Sequence, residues 1–592
     1  MANGFGSLYV GSSGLQSAQN ALNTTANNLT NVNTKGYVRQ QVLHTDRNYN
    51  VVDTSASISY QQSGLGVKIG DVIHARDIFL DKAFRTESGR QSFYAATAEA
   101  VNEVYTFYQE LEGEAFQDSL QNLWTAFQEF AKDPSDSVNQ NLVIQKSSLF
   151  VSRAAGVYEG LRDYQKNINQ QISDDIDRIN ELGERIFQLN IDIKQVESGH
   201  METAMTLRDE RDNCLDELAS LVEITYKEDA EGMVKVNIEG MGFVDEARVY
   251  EMGKLVDEIS EFVTPYWPHS STPANEQFDE VFSYTTQISS EMGTDIGELK
   301  ALILARGDRT ANYNDILGLS QREYNKSTAD HIATGMSVML QAEAQLDQLF
   351  HGVVTAINDL LCPNTEAKNV MSFANATDGK LTLTDINGKE YTITEDTLFL
   401  DAENTSVGVD GELPPTELFK RIGTERYTEI TVDNGNGTTS SYYMYNEEDP
   451  NETSLQYTII SVEINHTLKE QETKFPHLKQ DGQVNYALAE ALAALWDAED
   501  LTVDPNDTNK VTYMDYYSNM IGAYGTLGSV YESTAASLND TVTSVSNQRQ
   551  QVIGVSSDEE LTKMIRFQNA YNASSRFINV INEMIEHVIM QL

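Results

Sequence analysis

Both ends of this chain carry an apolar stripe repeating every seven residues, and such a stripe must be covered by something. Near the start, Leu8, Leu15, Leu22 and Leu29 share one heptad position. Ala18, Thr25 and Val32 fall three residues later, preceded by Gly11. At the other end Met564, Tyr571, Ile578, Ile585 and Leu592 share one position, with Phe567, Ile581 and Val588 at i+3. This spacing is helical and one-sided. The first stripe sits in poor helix material, with Asn20, Asn23, Asn27, Asn28, Asn31 and Asn33 among several Thr and Gly. Asn and Thr cost up to ~0.7 kcal/mol each relative to Ala, and Gly about 1 kcal/mol. A lone helix of that kind is marginal in water. It is therefore expected to fold only against a partner, which the C-terminal stripe supplies. Ser557 and Glu560 suggest a capping box at the start of that second helix.

A further heptad run, from Met514 through Tyr517, Tyr524, Tyr531, Leu538 and Val545 to Val552, reads as an ordinary core-facing helix. Its phase breaks at Gly554-Val555-Ser556-Ser557. Upstream, Phe116, Leu120, Leu123, Phe127 and Phe130 predict a helix that stops at Asp133-Pro134. Ile168 to Val196 make a longer stripe, and Leu207 to Leu221 its antiparallel return across a turn near Ser198-Gly199. Helical period resumes through Leu346, Leu349, Val353, Ile357 and Leu360 and ends at Cys362-Pro363. Extended-looking runs mark 34–98 as a β-rich connector, 224–295 as a small β unit and 362–485 as a β-rich insert between helical segments. In the insert, Asn387-Gly388 predicts a type I′ hairpin. Its separate strand pattern predicts a core of its own, and Tyr442, Tyr443 and Tyr445, where exposed as a patch, would favour a binding role for it. The fold class is thus multidomain and mainly α with β parts. Coiled-coil-like terminal helices flank a long-helix bundle body that comprises 99–361 and 486–556.

Charge narrows the partners. The chain has 592 residues, 41 basic and 90 acidic, for a net charge of −49. Nucleic-acid binding needs clustered cations, and docking on anionic lipid does too. No apolar run is long enough for a membrane span, and the first residues have neither the basic nor the apolar region of a cleaved secretory signal. Two cysteines, Cys214 and Cys362, exclude a disulfide scaffold. The nine histidines never reach metal-site spacing, and His351 reads as a packed side chain. No nucleophile elbow or phosphate loop is present, and Asp433-Asn434-Gly435-Asn436-Gly437 reads as a turn and not a calcium loop. No catalytic residue, cofactor or metal is assigned, and the chain is not expected to be an enzyme.

Specific residues carry a family likeness. The stretch from Leu15 through Asn27-Asn28-Leu29-Thr30-Asn31 to Gly36-Tyr37-Val38 closely resembles the N-terminal signature of flagellar rod, hook and hook-associated axial proteins. Phe567-Gln568-Asn569-Ala570-Tyr571 resembles the C-terminal pattern of the same family. Gly64-Leu65-Gly66-Val67, Arg76-Asp77-Ile78-Phe79, Leu207-Arg208-Asp209-Glu210-Arg211-Asp212, Gly297-Glu298-Leu299-Lys300 and Gly554-Val555-Ser556-Ser557 resemble landmarks of its hook-associated branch. The resemblance implies a non-enzymatic structural piece joining the flagellar hook to the filament. Residues 1–33 and 557–592 would form an inner coiled tube with neighbouring subunits. Leu8, Leu15, Leu22, Leu29, Met564, Tyr571, Ile578, Ile585 and Leu592 would be its assembly seam, and 362–485 would face outward. Implied partners are identical subunits in a ring, hook protein, hook-associated protein 3 and a type III export chaperone. Implied location is the extracellular flagellum, reached by type III export without a cleaved signal. Another axial protein is the alternative within the family, which length and the internal landmarks disfavour. An insert acting as a binding module or enzyme is the alternative outside it.

Overall fold

The computed structural model describes all residues except 1, 35, 48–49, 54–60, 110–114, 200–202, 273–276, 330, 374–375, 377, 434–436 and 592. The element order is α1 (Ala2–Thr30), a β segment, α2 (Ile78–Gln109), α3 (Phe116–Lys132), α4 (Ser137–Glu197) and α5 (Met205–Leu221). After a second β segment come α6 (Glu298–Arg306), α7 (Gln321–Asn325), α8 (Val338–Leu361) and α9 (Ala367–Val370). A third β segment leads through α10 (His466–Glu470) to α11 (Tyr486–Ala494), α12 (Tyr513–Ile553) and α13 (Ser557–Gln591).

Helix α4 is the spine. Asp136 caps its start by accepting from the Val138 N–H. Ile168, Ile172, Ile176, Ile179, Ile186, Leu189 and Ile193 are fully buried along one side. Helix α5 returns antiparallel, as the stripe predicts, with Arg178 on Glu217, Arg185 on Glu210 and Arg208 on Glu197 across the pair. The five-residue stripe of α3 is fully buried too. Helix α12 lies along α2, and its Tyr517 hydroxyl donates to the Tyr108 carbonyl at 2.8 Å. Residues Ile224–Glu228, Val234–Ile238 and Met241–Val244 make a three-stranded antiparallel sheet against α4.

Two expectations about secondary structure are corrected. The stretch 34–98 is not all connector, because α2 begins at Ile78. Asp77 starts that helix by accepting from the N–H groups of Phe79 and Leu80. The Asn387-Gly388 hairpin exists, pairing Lys380–Thr384 with Glu390–Thr394, but its loop is not type I′. Only Gly388 has positive φ (82°), while the Asp385 N–H donates to the Lys389 carbonyl. That is a longer loop ending in a left-handed glycine. Tyr442, Tyr443 and Tyr445 are all half-buried and pack inward, so they do not form the exposed patch that would favour a binding role for the insert.

The insert does not keep a wholly separate core. Ala367, Ile393, Phe399 and Ile430 form a small cluster of their own. However, Leu400, Leu418, Phe419, Tyr457, Ile459, Ile464 and Phe475 belong to the same apolar core as α3, α4 and α8. Polar contacts stitch the two parts together. Asn358 accepts from the Phe419 N–H and donates to its carbonyl, and Asp347 accepts from the Ile459 N–H. His351 stacks on Tyr313 at 3.8 Å and meets Glu448 at 3.1 Å. Cys362 is fully buried beneath this junction, and burial pushes its thiol up to about 12.

Candidate assembly site

The terminal helices pair with each other inside one chain. The fit is visible at two glycines of α1. A methyl group on Gly11 would stand 2.7 Å from Cγ1 of Ile578, and one on Gly14 2.9 Å from the Ser574 hydroxyl. The first contact needs Gly for close approach of the helices. Near the opposite end of α1, the Asn28 amide donates to the Glu560 carboxylate at 3.1 Å. These pairs run antiparallel and share one offset, so they belong to a single continuous seam.

That seam is not centred on the leucines. The side of α1 buried towards α13 is Gly11, Ala18, Ala21, Thr25 and Asn28, in a 3-4 alternation completed by half-buried Gly14, while Ser13 and Ser17 are buried beside it against the β segment. Leu8, Leu15, Leu22 and Leu29 are only half-buried and flank it. On α13 the matching residues are Glu560, Met564, Phe567, Tyr571, Ser574, Ile578, Ile581 and Ile585. Of these only Glu560 is fully covered. Leu592 lies outside the described residues. The chosen C-terminal stripe therefore faces α1 of its own chain. Outside that seam an apolar set on α13 stays uncovered: Ile565, Val580, Met584 and Ile589 are each 47–67% exposed, whereas Phe577 borders the seam at Gly11. In a lone chain this is an apolar helix face without a partner, the kind of surface that marks an interaction site.

The capping reading is also corrected. Ser556, not Ser557, accepts from the Glu559 N–H at the start of α13. Glu560 does not close a box; its carboxylate is held by Asn28 and by Lys563 at 2.6 Å. Asn28 uses its whole bonding capacity. Its amide donates to the Gln40 carbonyl (2.9 Å) and to Glu560. Its oxygen accepts from the Gln40 N–H (3.0 Å) and the Tyr37 hydroxyl (2.8 Å). Burial, aided by the carboxylates of Asp209 and Glu560, pushes the Tyr37 hydroxyl up to about 12, so it stays a donor. The sequence reading saw Asn28 as poor helix material and Glu560 as a cap. The usable signal was phase: Asn28 continues the Gly14–Ala21 heptad, and Glu560 that of Phe567 and Ser574.

Below this knot the chain enters the helical body. The Arg39 N–H donates to the Ile553 carbonyl at 2.8 Å, and the Arg39 guanidinium meets Glu559 at 3.2 Å. The Val38 N–H donates to Asp209 of α5. A hairpin of Gln40–Asp46 with Val67–His74 lies against α1, where His44 reaches the Ser17 hydroxyl at 3.0 Å. Arg549, at the end of α12, bridges Asp81 of α2 and Asp216 of α5, both at 2.6 Å. Arg85 and Arg76 extend the network to Asp212. His74 and Asp209 approach to 3.5 Å, yet burial lowers the imidazole to about 4 and raises the carboxyl to about 7. Between those values both are neutral, so their contact is polar and not a charged pair.

Among the described residues no helix is long and apolar enough to cross a membrane. Nor does any group of three or more His, Cys, Asp or Glu among them form a metal-holding arrangement.

Residues 101–364 match the family profile described as flagellar hook-associated protein FlgK helical domain. Residues 8–37 match that of the flagella basal body rod protein, and 548–592 that of the flagellar basal body rod FlgEFG protein C-terminal. The chain is 23% identical over 591 residues to flagellar hook-associated protein 1 of Bacillus subtilis (strain 168), spanning 97% of this chain and 96% of that protein. It is 22% identical to the protein of the same name in Escherichia coli (strain K12), spanning 98% of each. The solved structure of the flagellar hook junction protein FlgK from Burkholderia pseudomallei is similar with a TM-score of 0.46 at 13% identity, covering 80% of this chain and all of that one. With rod-type segments at both ends, a hook-associated helical domain between them and end-to-end relatives of one kind, the chain is similar over nearly its whole length to flagellar hook-associated protein 1.

Proposed function

We propose that this protein is a structural junction piece between the flagellar hook and filament, and that it polymerises as a ring through its paired terminal helices. The observation that carries this reading is the uncovered apolar stripe on α13. The side of α13 facing α1 is already used within the chain, so Ile565, Val580, Met584 and Ile589 are left for neighbours. A ring covers such a stripe once per subunit, with the small-residue face of α1 keeping each pair slender. The rest of the proposal rests on the likeness to flagellar hook-associated protein 1. Its neighbours in the axis are hook protein and hook-associated protein 3. It travels through the type III export channel with a chaperone to an extracellular place in the flagellum. Residues 362–485 face outward. Its role is mechanical and not enzymatic.

Electron microscopy of flagella from a strain lacking the gene tests this directly. Hooks without filaments are expected, with filaments restored by the plasmid-borne gene. Normal filaments on the deletion strain would sink the proposal.

A further inference from the structure

We infer that Asn28 is the register residue of the terminal helix pair: it fixes which turn of α1 lies against which turn of α13 and clamps both to the segment entering the body. The need for such a residue follows from the seam itself. Gly11, Gly14, Ala18, Ala21 and Thr25 present a smooth face of small side chains. Small residues permit close approach, but they interlock poorly. A slip by one heptad would set Gly11 against Tyr571 with little change in apolar burial, and the opposite slip would set Ala18 against Ile578, where the close fit at Gly11 resists a methyl group. Apart from that contact, nothing in the α1 seam above Asn28 distinguishes such alternatives sharply.

Asn28 and Glu560 do distinguish them. Both lie inside the seam with 1% exposure, 532 positions apart in the chain, and each is in heptad phase with its own stripe. A slip would carry the Asn28 amide to an apolar turn of α13 and strand the donor that Glu560 now takes. A buried polar group without a partner is costly, and a single Asn in a helical seam is the best-attested device for setting register. The other three bonds of Asn28 add a second constraint. Two go to the Gln40 backbone and one to Tyr37, so the register is tied to the segment that enters the body. The same segment is held from below by Asp209 on the Val38 N–H and by the Ile553 carbonyl on the Arg39 N–H. The terminal pair thus meets the body in one alignment. This concerns the lone chain and does not depend on ring assembly.

A disulfide reports the register. A Cβ built on Gly14 lies 3.7 Å from the Ser574 Cβ, inside the window of about 3.5–4.5 Å that disulfides require. The full-length chain with Cys214→Ser carries either Gly14→Cys with Ser574→Cys, the native register, or Gly14→Cys with Ile581→Cys, one heptad away. Intrachain bond formation is followed at low protein concentration under mild oxidant. With native Asn28, only the first pair is expected to close. Asn28→Asp keeps the shape but loses both donors and faces Glu560 with a like charge. It is expected to slow the native pair by about tenfold. Adding Glu560→Gln, which supplies an amide donor to Asp at position 28, is expected to bring the rate back to within about threefold. Rescue by a compensating change separates a register contact from a general loss of folding. Native-pair closure at the parental rate in Asn28→Asp overturns the inference, and so does failure of Glu560→Gln to speed the double variant.

Discussion

Gly11 lies directly beneath Ile578: an added methyl group would stand 2.7 Å from the isoleucine Cγ1 and 3.1 Å from the Phe577 ring. Residues 567 positions apart in sequence thus set the spacing of the terminal helices. Replacing Gly11 with Leu improves helix propensity by roughly 1 kcal/mol but inserts a side chain where none fits. Overpacking of that kind costs about 1–3 kcal/mol. Gly11→Leu should therefore loosen the pair, with chymotryptic cleavage within residues 6–30 accelerated by on the order of tenfold. Ile578→Ala added to it should restore much of the protection. Undiminished protection in Gly11→Leu alone would show that the helices are not in this close contact.

The regular parts of this architecture were legible because long helices repeat their pattern many times. Ile168 to Ile193 and Phe116 to Phe130 could be read directly, and each lies in the core. The terminal stripes were visible as well, but their meaning was misjudged in one respect. Leucine draws the eye, whereas the face of α1 that is actually covered is made of Gly, Ala, Thr and Asn. Hydrophobicity does not mark such a face; only its phase does. The start of α2 was missed for a related reason. The residues Phe93, Ala96, Ala100, Val101 and Val104 that pack it come late, and its apolar opening residues Ile78 and Phe79 are exposed, so no periodic stripe marks its start. The continuity of the insert with the body was not legible at all. It rests on single long-range bonds, such as Asn358 with Phe419 and Asp347 with Ile459, which leave no periodic trace.

Glu343 gives the body a pH dependence of predictable sign. It is completely buried on α8, with one oxygen accepting from the Ala311 N–H. Burial raises its carboxyl to about 8, well above the ordinary value of 4.5. The folded chain therefore holds this proton where the unfolded chain has released it. Stability is retained below the unfolded value and falls as pH climbs from about 4.5 towards 8. Glu343→Gln keeps an acceptor for Ala311 and removes the titration. By calorimetry, the variant should melt a few degrees above the parent at pH 8 and close to it at pH 5. A parent–variant difference independent of pH would rule Glu343 out as the source.

Removal of the insert should not be neutral. Excising 362–485 strips Phe475 from Phe130, whose rings lie 5.2 Å apart, and uncovers Ile357 and Leu361. Loss of several buried apolar side chains at about 2–5 kcal/mol each is more than most domains tolerate. The truncated chain is expected to melt at least about 10 °C lower or to aggregate. Excising only the hairpin 380–394, joined by a short Gly/Ser linker, removes Ile393 from the small separate cluster and should cost only a few degrees. Equal melting of the two deletions would show that the body does not rely on the insert.

Two carboxylates placed six residues apart separate the two faces of α13. Ile578 packs on Gly11 within the chain, whereas Met584 is 60% exposed and belongs to the uncovered stripe. Ile578→Asp puts a carboxylate against apolar neighbours, and an unpaired buried polar group costs roughly 1–3 kcal/mol. Helix α1, rich in Asn and Gly, has little intrinsic stability with which to resist. Hydrogen exchange in residues 6–30 should therefore rise about tenfold or more in the lone chain, while the body is unaffected. Met584→Asp meets only water in the lone chain, so exchange there should match the parent. In the flagellum the order of severity changes. If subunits meet through the outward stripe, Met584→Asp places a charge in every repeated interface and should leave hooks without filaments although export continues. Normal filaments with Met584→Asp would remove the outward stripe as the intersubunit face, and a fully protected α1 in Ile578→Asp would remove the intrachain seam.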